Sequence, residues 1–358
     1  MKLLTVLGAR PQFIKAATVS RAIKARDDIQ EIIVHTGQHF DANMSDVFFE
    51  QLDIPRPHHN LQIAGLNHGA MTGRMLESVE VLIQKEQPDW VLVYGDTNST
   101  LAGALAAAKL GVPIAHVEAG LRSHNPAMPE EINRVLTDRI SSLLLCPTKT
   151  AIDNLQQEDF PFYQQRICNV GDVMFDAVLY YRERVKAEIR LDTTGLEHKG
   201  YALCTLHRQE NTDDSIRLNS ILGALREIAK DLPVVLPLHP RTRQKVEQQH
   251  SVDALKGITV LEPLPYLEMQ RLQMSAQLIL TDSGGMQKEA YFHKVPCITL
   301  RDETEWLETV EAGWNQIVGA DSDKILEAWR DANKPSGHAH NLYGNGDASQ
   351  QVVEKLLA

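Results

Sequence analysis

Short apolar runs alternate with amphipathic helical patterns along the whole chain, and this alternation constrains the fold more than any other feature. The runs that predict buried strands are residues 3–9, 31–37, 90–96, 113–119, 142–148, 201–207, 234–240, 258–264, 278–285 and 296–302. Residues 166–185 predict a further strand followed by a helix. Strands that alternate with helices form parallel sheets covered by helices on both faces. The sequence therefore predicts an α/β protein.

The alternation restarts midway along the chain, which predicts two domains. A chain of 358 residues is also too long for one ordinary core, because a domain takes roughly 100–200 residues. We place the boundary near Val170, between an N-terminal domain over residues 1–170 and a C-terminal domain over residues 171–346. The amphipathic segment 347–358 is expected to form a helix that packs back on the first domain.

The composition indicates a class of protein and excludes some classes of partner. Hydrophobic residues make up 43% of the chain and charged residues 23%, as in globular proteins, and no apolar run reaches the ~20 residues that span a bilayer. The first residues fit a buried strand better than a signal peptide, so we expect a cytoplasmic protein. A net charge of −11 without a basic tail disfavours nucleic acid. We therefore expect neither a membrane nor a nucleic-acid partner.

The chain lacks the sequence patterns of metal sites and of the common nucleotide motifs. Its cysteines stand singly in apolar segments, which is typical of small buried residues: Cys146, Cys168, Cys204 and Cys297. Neither G-x-G-x-x-G nor G-x-x-x-x-G-K-[ST] occurs, so NAD binding and P-loop ATP hydrolysis are both disfavoured. We expect no metal and no cofactor.

The segment "GARPQFIKAA" follows the first predicted strand and opens a helix. Ligands of doubly wound sheets bind at the carboxyl ends of the strands, and N–H groups at a helix start attract anions. The segment is thus a candidate anion site near Arg10 and Lys15. An ordinary strand–helix turn with two solvated cations explains the motif equally well.

The segment "TDSGGMQKEA" is a more specific signal, because small residues stand between a buried strand and a helix. At Ser283, Gly284 and Gly285 a phosphate could approach bare N–H groups. Glu289, one turn into the helix, could accept two hydrogen bonds from a ribose diol. A plain helix cap by Asp282 or Ser283 is the alternative. We favour the nucleotide site.

Histidine and arginine follow two other strands of the second half, where His207 precedes Arg208 and His239 is followed by Arg241 and Arg243. A single histidine at such a place is usually structural. When arginines stand beside several histidines, however, their guanidinium groups can bind phosphate oxygens. These strand ends therefore predict a polyanion site.

The stretch His116–Arg134 in the first half is crowded with ionisable groups. Glu118 follows one strand of this half and Asp96 follows the strand before it. Asp96 could serve only as a helix cap, but parallel strands would bring it to the same sheet edge as Glu118. We therefore expect a cleft lined by carboxylates on one side and by the polyanion site on the other.

Taken in order, these motifs resemble the non-hydrolysing UDP-N-acetylglucosamine 2-epimerase family along nearly the whole chain. The resemblance lies in "GARPQFIK", "YGDTNST", "HVEAGLR", "PEEINR", "LHRQEN", "LTDSGGMQKEA", "RDETEW" and "NLYGNGDAS". It implies the GT-B architecture, in which two Rossmann-like domains face each other across a cleft, and a homodimer. It also implies inversion of C2 in a UDP-N-acetylhexosamine, by anti elimination of UDP to a 2-acetamidoglycal and re-addition, in the synthesis of cell-surface polysaccharide precursors.

The resemblance assigns roles position by position. Asp96, Glu118 and Glu130 match the catalytic carboxylates, and His207 matches the histidine beside the diphosphate. Glu131 is expected to start a helix and to face away from the site. The residues expected to bind the UDP-sugar are Arg10, Lys15, Arg134, His239, Ser283, Gly284, Gly285, Glu289 and Arg301.

Two features depart from the commoner members of the family. Those members carry Pro-Glu-Ala where this chain has Pro11-Gln12-Phe13, and their segment between Glu118 and Glu130 is longer. Both features resemble the branch acting on UDP-2,3-diacetamido-2,3-dideoxy-glucuronate, which is therefore an alternative. A GT-B glycosyltransferase, a hydrolysing epimerase and a non-catalytic UDP-sugar-binding protein are further alternatives.

Overall fold

The structure is a computed structural model that describes residues 1–38, 49, 52–158, 165–189, 196–249, 252–332 and 341–358. The chain divides into two compact units, Met1–Ala177 together with Asn341–Ala358, and Val178–His340. Each unit contains one sheet, and every strand pair in both sheets is parallel. Among the described residues, no helix is both long enough and apolar enough to cross a membrane.

The sheet of the first unit has seven strands. They are β1 (Lys2–Leu7), β2 (Gln30–His35), β3 (His59–Asn60), β4 (Trp90–Tyr94), β5 (Ile114–Val117), β6 (Leu143–Cys146) and β7 (Arg166–Asn169). Their order in the sheet is β3-β2-β1-β4-β5-β6-β7. Since β1, β4 and β5 are neighbours at its centre, the loops that follow them meet at one edge.

The helices of the first unit alternate with these strands. They are α1 (Arg10–Lys24), α2 (His68–Glu86), α3 (Asn98–Lys109), α4 (Pro129–Ile140), α5 (Lys149–Gln157) and α6 (Val173–Glu188), the last of which continues into the second unit. Strand side chains such as Leu4, Val6, Val91 and Val93 form one buried cluster with apolar helix residues. Burying each such side chain contributes about 1.5–3 kcal/mol, which fixes the strands that carry the polar loops.

The second unit has a six-stranded sheet in the order β10-β9-β8-β11-β12-β13. Its strands are β8 (Ala202–Thr205), β9 (Val234–Pro237), β10 (Ile258–Leu261), β11 (Leu278–Thr281), β12 (Cys297–Thr299) and β13 (Asn315–Ile317). Its helices are α7 (Gln209–Thr212), α8 (Ser215–Ile228), α9 (Pro240–Gln249), α10 (Tyr266–Ser275), α11 (Gly284–Phe292), α12 (Leu307–Glu311) and α13 (Ser322–Asp331), with a 3-10 turn at Val252–Leu255. Separate buried clusters pack around this sheet.

The last helix, α14 (Ala348–Leu357), groups with the first unit. The carboxylate of Asp176 accepts hydrogen bonds from the N–H groups of Ala348 (3.2 Å) and Ser349 (2.7 Å) at the start of this helix. At its other end, the guanidinium of Arg166 donates to the carbonyl of Lys355. Both ends of α14 are therefore held by side chains of the first unit.

The predicted fold class, an α/β protein with parallel sheets, is confirmed. All ten predicted runs and the strand predicted within residues 166–185 form strands. The prediction missed β3 and β13, which have two and three residues and lie at the edges of the sheets. Such short edge strands carry too few apolar residues to show alternation.

Candidate functional site

Asp96 and Glu118 lie at the ends of adjacent strands, β4 and β5. Gly95, between β4 and Asp96, has φ +61°, and a methyl group added to it would lie 3.2 Å from Oε2 of Glu118. Glu118 itself has φ +72°, a left-handed conformation that costs a residue other than glycine about 1–3 kcal/mol. The fold thus brings the two loops together and keeps Glu118 in a strained turn.

The carboxylate of Glu118 forms a buried ion pair with the ammonium of Lys15 in α1. Lys15 was expected to bind the UDP-sugar, and here its charge is directed at a predicted catalytic carboxylate. Removing one partner of a buried pair is costly because the other charge is left uncompensated. Lys15 therefore keeps a negative charge on Glu118 favourable at the edge of the sheet.

The start of α1 is closed by the amide of Gln12, which is fully buried. Its Oε1 accepts from the N–H groups of Gly8 (2.8 Å) and Ala9 (2.9 Å), and its Nε2 donates to the carbonyl of Tyr94 (2.8 Å). These two N–H groups are therefore not open to an anion. Arg10, the first residue of the helix, is partly exposed, and its expected contact with the UDP-sugar stays a prediction.

Arg134 of α4 joins two carboxylates. One of its terminal nitrogens donates to Asp96, and Nη1 donates to Oε2 of Glu131 at 2.8 Å. Arg134 is buried, whereas 29% of the Asp96 side chain is exposed. The guanidinium thus orients Asp96 and leaves part of its carboxylate open to solvent.

Glu131 does not face away, and that expectation was wrong. The residue is buried, and its carboxylate accepts from the N–H groups of Ser123 (2.9 Å) and His124 (3.0 Å) as well as from Arg134. It therefore fixes the loop between β5 and α4. Its neighbour Glu130 is half-buried, and no hydrogen bond or ion pair to it occurs in the described part of the chain.

A buried network lies behind these carboxylates. Asp138 accepts from Nδ1 of His116 (2.7 Å), from the N–H of Gly120 (3.1 Å) and from Nη1 of Arg122 (2.7 Å). Burial would raise the pKa of Asp138, but His116 and Arg122 outweigh it and hold this pKa below its usual value. Asp138 is therefore a buried anion that ties the loop after β5 to α4.

In the second unit, His207 follows β8 and Asp282 follows its neighbour β11. The Asp282 carboxylate accepts from the N–H groups of His207 (3.0 Å) and Arg208 (2.9 Å) and lies 3.1 Å from Nδ1 of His207. Burial would raise the pKa of Asp282, yet these hydrogen bonds and the His207 charge lower it. Asp282 therefore orients the His207 ring, and half of the His207 side chain stays exposed to solvent.

The start of α11 lies at the same edge of this sheet. Ser283 caps the helix, with its Oγ 3.5 Å from the N–H of Met286. A methyl group added to Gly285 would meet no atom of the described residues within 4 Å, and one added to Gly284 would come only as near as 3.5 Å, at Trp306. The backbone here is accessible, as a phosphate contact requires.

The remaining predicted contacts in the second unit differ in how open they are. Glu289 is buried, and its Oε2 accepts from Nε2 of Gln273 at 2.7 Å. His239 is exposed at the end of β9, beside β8. Arg301 is only 1% exposed and donates to both carboxylate oxygens of Glu305, at 3.0 and 3.1 Å. A ligand that contacts Arg301 would therefore also lie beside the carboxylate of Glu305.

Sequence reasoning missed several supporting residues: Gln12, His116, Glu131, Asp138 and Asp282. Each is a buried polar side chain that binds the backbone of a strand-end loop. Gln12, Glu131 and Asp282 each lie two residues from a helix start, a position that also fits an ordinary cap. His116 lies within β5 and Asp138 near the end of α4, so no sequence pattern indicated their contacts.

Each unit thus gathers a different chemistry at the carboxyl edge of its sheet. The first holds carboxylates paired with Lys15 and Arg134, which suits proton transfer. The second holds an exposed histidine and an open helix start, which suits a phosphorylated ligand. Within the described ranges, no three His, Cys, Asp or Glu side chains are grouped as a metal site would require.

Comparisons with known proteins agree with this chemistry. The family model described as UDP-N-acetylglucosamine 2-epimerase matches residues 21–357. The UDP-2,3-diacetamido-2,3-dideoxy-D-glucuronate 2-epimerase of Pseudomonas aeruginosa is 56% identical over 99% of both chains. The UDP-N-acetylglucosamine 2-epimerase of Methanocaldococcus jannaschii is 44% identical over 99% of both chains.

Solved structures give the same result. The M. jannaschii enzyme in complex with UDP-GlcNAc and UDP superposes with a TM-score of 0.91 at 43% identity, covering 100% of this chain and 99% of that one. The Neisseria meningitidis UDP-GlcNAc 2-epimerase bound to UDP-GlcNAc superposes with a TM-score of 0.90 at 31% identity, covering both chains fully. The chain described here therefore belongs to the UDP-N-acetylglucosamine 2-epimerase family.

Proposed function

We propose that the protein is a non-hydrolysing UDP-sugar 2-epimerase that interconverts UDP-N-acetylglucosamine and UDP-N-acetylmannosamine, or the corresponding 2,3-diacetamido uronates. The observation that carries this proposal is the pair of carboxylates, Asp96 and Glu118, at neighbouring strand ends, each matched with a buried cation. Inverting a carbon requires a proton to leave one face and to return on the other, so one carboxylate would be too few.

The reaction needs no redox step. A base takes the proton from C2 while the bond between C1 and the UDP oxygen breaks, so UDP leaves with the bonding electrons and a C1–C2 double bond forms. C2 is then protonated on its opposite face, and the UDP oxygen attacks C1 again. Because the breaking bond builds positive charge at C1, the C2 proton becomes acidic and nearby carboxylates stabilise the charge.

The residues take the following proposed roles. Asp96, Glu118 and Glu130 handle the protons and the charge at C1, and His207 holds the leaving diphosphate. The proposed contacts of the UDP-sugar are Arg10, Lys15, Arg134, His239, Ser283, Gly284, Gly285, Glu289 and Arg301. Among them, the open helix start binds the diphosphate and Glu289 binds the ribose. The two helix-start glycines support this proposal, because their backbone is open to a ligand.

One observation favours the diacetamido uronate as the preferred sugar. The P. aeruginosa relative named for that substrate is 56% identical to this chain, whereas the M. jannaschii relative named for UDP-N-acetylglucosamine is 44% identical. We also propose a cytoplasmic homodimer that serves polysaccharide precursor synthesis, as the family resemblance implies. Sedimentation tests the dimer, since the single chain has a mass of 40.1 kDa.

Incubating the protein with each UDP-sugar in deuterated water tests the function. We expect deuterium at C2 with UDP still attached at C1, followed by NMR of both carbons, and faster exchange with the diacetamido uronate. Free sugar plus UDP would indicate a hydrolysing epimerase. Lack of exchange with both sugars would overturn the proposal.

A further inference from the structure

His116 is a buried residue of β5 that is outside the predicted catalytic set. It is 0% exposed, and each of its ring nitrogens lies at hydrogen-bond distance from an oxygen. Nδ1 is 2.7 Å from Oδ1 of Asp138, and Nε2 is 2.7 Å from the carbonyl oxygen of Gly95. The ring thus bridges α4 and the loop that carries Asp96.

Neither partner has a proton to give to the ring. A backbone carbonyl can only accept, so Nε2 must carry hydrogen. The other contacts of Asp138, the N–H of Gly120 and the guanidinium of Arg122, both donate to Oδ2, and the pKa of Asp138 is held below its usual value, so its carboxylate is ionised. Nδ1 must therefore carry hydrogen as well, which makes the ring a buried imidazolium.

The charges around the ring compensate each other. Arg122 pairs with Asp138 and also with Glu158, whose oxygens lie around its Nε and Nη2. Two cations, His116 and Arg122, thus alternate with two carboxylates. Buried charges are tolerated when they are paired and hydrogen-bonded in this way.

This network touches both loops that bear the predicted catalytic carboxylates. His116 holds the carbonyl of Gly95, the residue before Asp96, and Asp138 holds the N–H of Gly120, two residues after Glu118. Gly95 also adjoins the Lys15–Glu118 pair, since a methyl group added to it would lie 3.3 Å from Nζ of Lys15. A change of the His116 ring would therefore move the loops relative to each other.

We propose that His116 is a positioning residue with hydrogen on both ring nitrogens, whose two hydrogen bonds hold the Asp96 loop against the Glu118 loop. The expected effect of His116 on catalysis rests on the proposed epimerase function and deepens it. The protonation state of the ring does not depend on that function. Small displacements of reacting groups cost up to about 100-fold in rate, so the expected effect lies on turnover rather than on nucleotide binding.

His35 provides a matched control. It is likewise buried and ends β2 in the same sheet, but neither of its ring nitrogens has a hydrogen-bond partner among the described residues. Burial lowers the pKa of His35 to about 4, so its ring is neutral at pH 7. The two histidines therefore share burial and position and differ in the protonation that the hydrogen bonds require.

The first measurement is nitrogen NMR of the histidine rings in the full-length protein at pH 7, assigned through couplings to the backbone. We expect two protonated nitrogens for His116 and one for His35. A neutral ring at His116 would overturn the proposal. This NMR measurement needs neither a variant nor a substrate. It therefore tests the protonation of His116 even if the protein shows no exchange with any UDP-sugar, and that result would count against the proposed function alone.

The second measurement compares His116→Gln with His35→Gln in the deuterium-exchange assay. A glutamine at 116 can bond one partner but not both and carries no charge. We expect kcat of His116→Gln to fall about 10- to 100-fold with KM and UDP affinity within a few-fold, and His35→Gln to keep the wild-type kcat. A His116→Gln kcat within about twofold of wild type would overturn the proposal.

Discussion

Two adjacent glutamates, Glu130 and Glu131, have the same side chain but different contacts. Glu131 accepts hydrogen bonds from two backbone N–H groups and from Arg134, whereas Glu130 beside it has no such partner in the described part of the chain. The first residue therefore belongs to the structure of the loop. The second is half-buried, with its carboxylate available for chemistry.

We therefore expect opposite results from the same substitution at the two positions. Glu131→Gln turns an amide N–H₂ group toward backbone donors and should lower the free energy of unfolding by about 1–3 kcal/mol. Glu130→Gln should leave it within about 0.5 kcal/mol and should still reduce deuterium exchange about 100-fold. Urea unfolding and the exchange assay measure the two effects. Equal destabilisation by both variants would contradict this assignment.

The sequence identified the strand ends that carry candidate site residues, but not the contacts that these residues make. Asp96 and Glu118 could be placed at one edge because each directly follows an apolar run. The pairing of Lys15 with Glu118 joins residues 103 positions apart, and the bond from Gln12 to Tyr94 joins residues 82 apart. No local pattern encodes such distant pairs. The catalytic and binding roles themselves stay predictions.

At the scale of elements, α14 is fixed by charge complementarity as well as by packing. Asp176 binds the N–H groups at its start, where the helix dipole is positive, and Arg166 binds a carbonyl at its end. Buried apolar residues such as Val352, Val353 and Leu356 face inward. The helix is therefore positioned along its axis by its two ends.

Asp176→Ala should release the start of α14. We expect a loss of about 1–2 kcal/mol in the free energy of unfolding, because two N–H groups lose their acceptor. Hydrogen exchange of the amides in residues 348–351 should speed up more than that of β4. As a control, Asp153→Ala removes an exposed carboxylate whose one partner among the described residues is Lys149 in α5, and it should leave both measurements unchanged. Equal effects of the two variants would refute the role of Asp176.

Elements were predictable where they are long and periodic. Each of the ten apolar runs predicted as strands became a strand, because a short apolar run between turn residues fits a buried strand. The two strands that escaped prediction, His59–Asn60 and Asn315–Ile317, are held by pairing with a neighbour rather than by their own composition. Their formation depends on tertiary contacts that a single sequence does not display.

At the scale of the whole molecule, the two units carry different parts of the proposed reaction. The carboxylates lie in Met1–Ala177 and the open helix start lies in Val178–His340. Substitutions in the two units should therefore separate chemistry from nucleotide binding.

We expect UDP to raise the unfolding temperature of Glu118→Gln as much as that of the wild type, although its deuterium exchange falls about 100-fold or more. Gly285→Leu should abolish the UDP effect while the protein without ligand unfolds normally, since a side chain there points into open space. Gly223→Leu is the control, because Gly223 in α8 is equally open. Loss of the UDP effect in Glu118→Gln would contradict this division.

The first unit is assembled from two stretches of chain, with the whole second unit encoded between them. During synthesis, strands β1 to β7 leave the ribosome while α14 does not yet exist, and the second unit emerges next. The contacts of Asp176 with Ala348 and Ser349 can therefore form only after the whole second unit has been synthesised. Folding of the carboxylate-bearing unit is thus completed only once the other unit is already part of the growing chain.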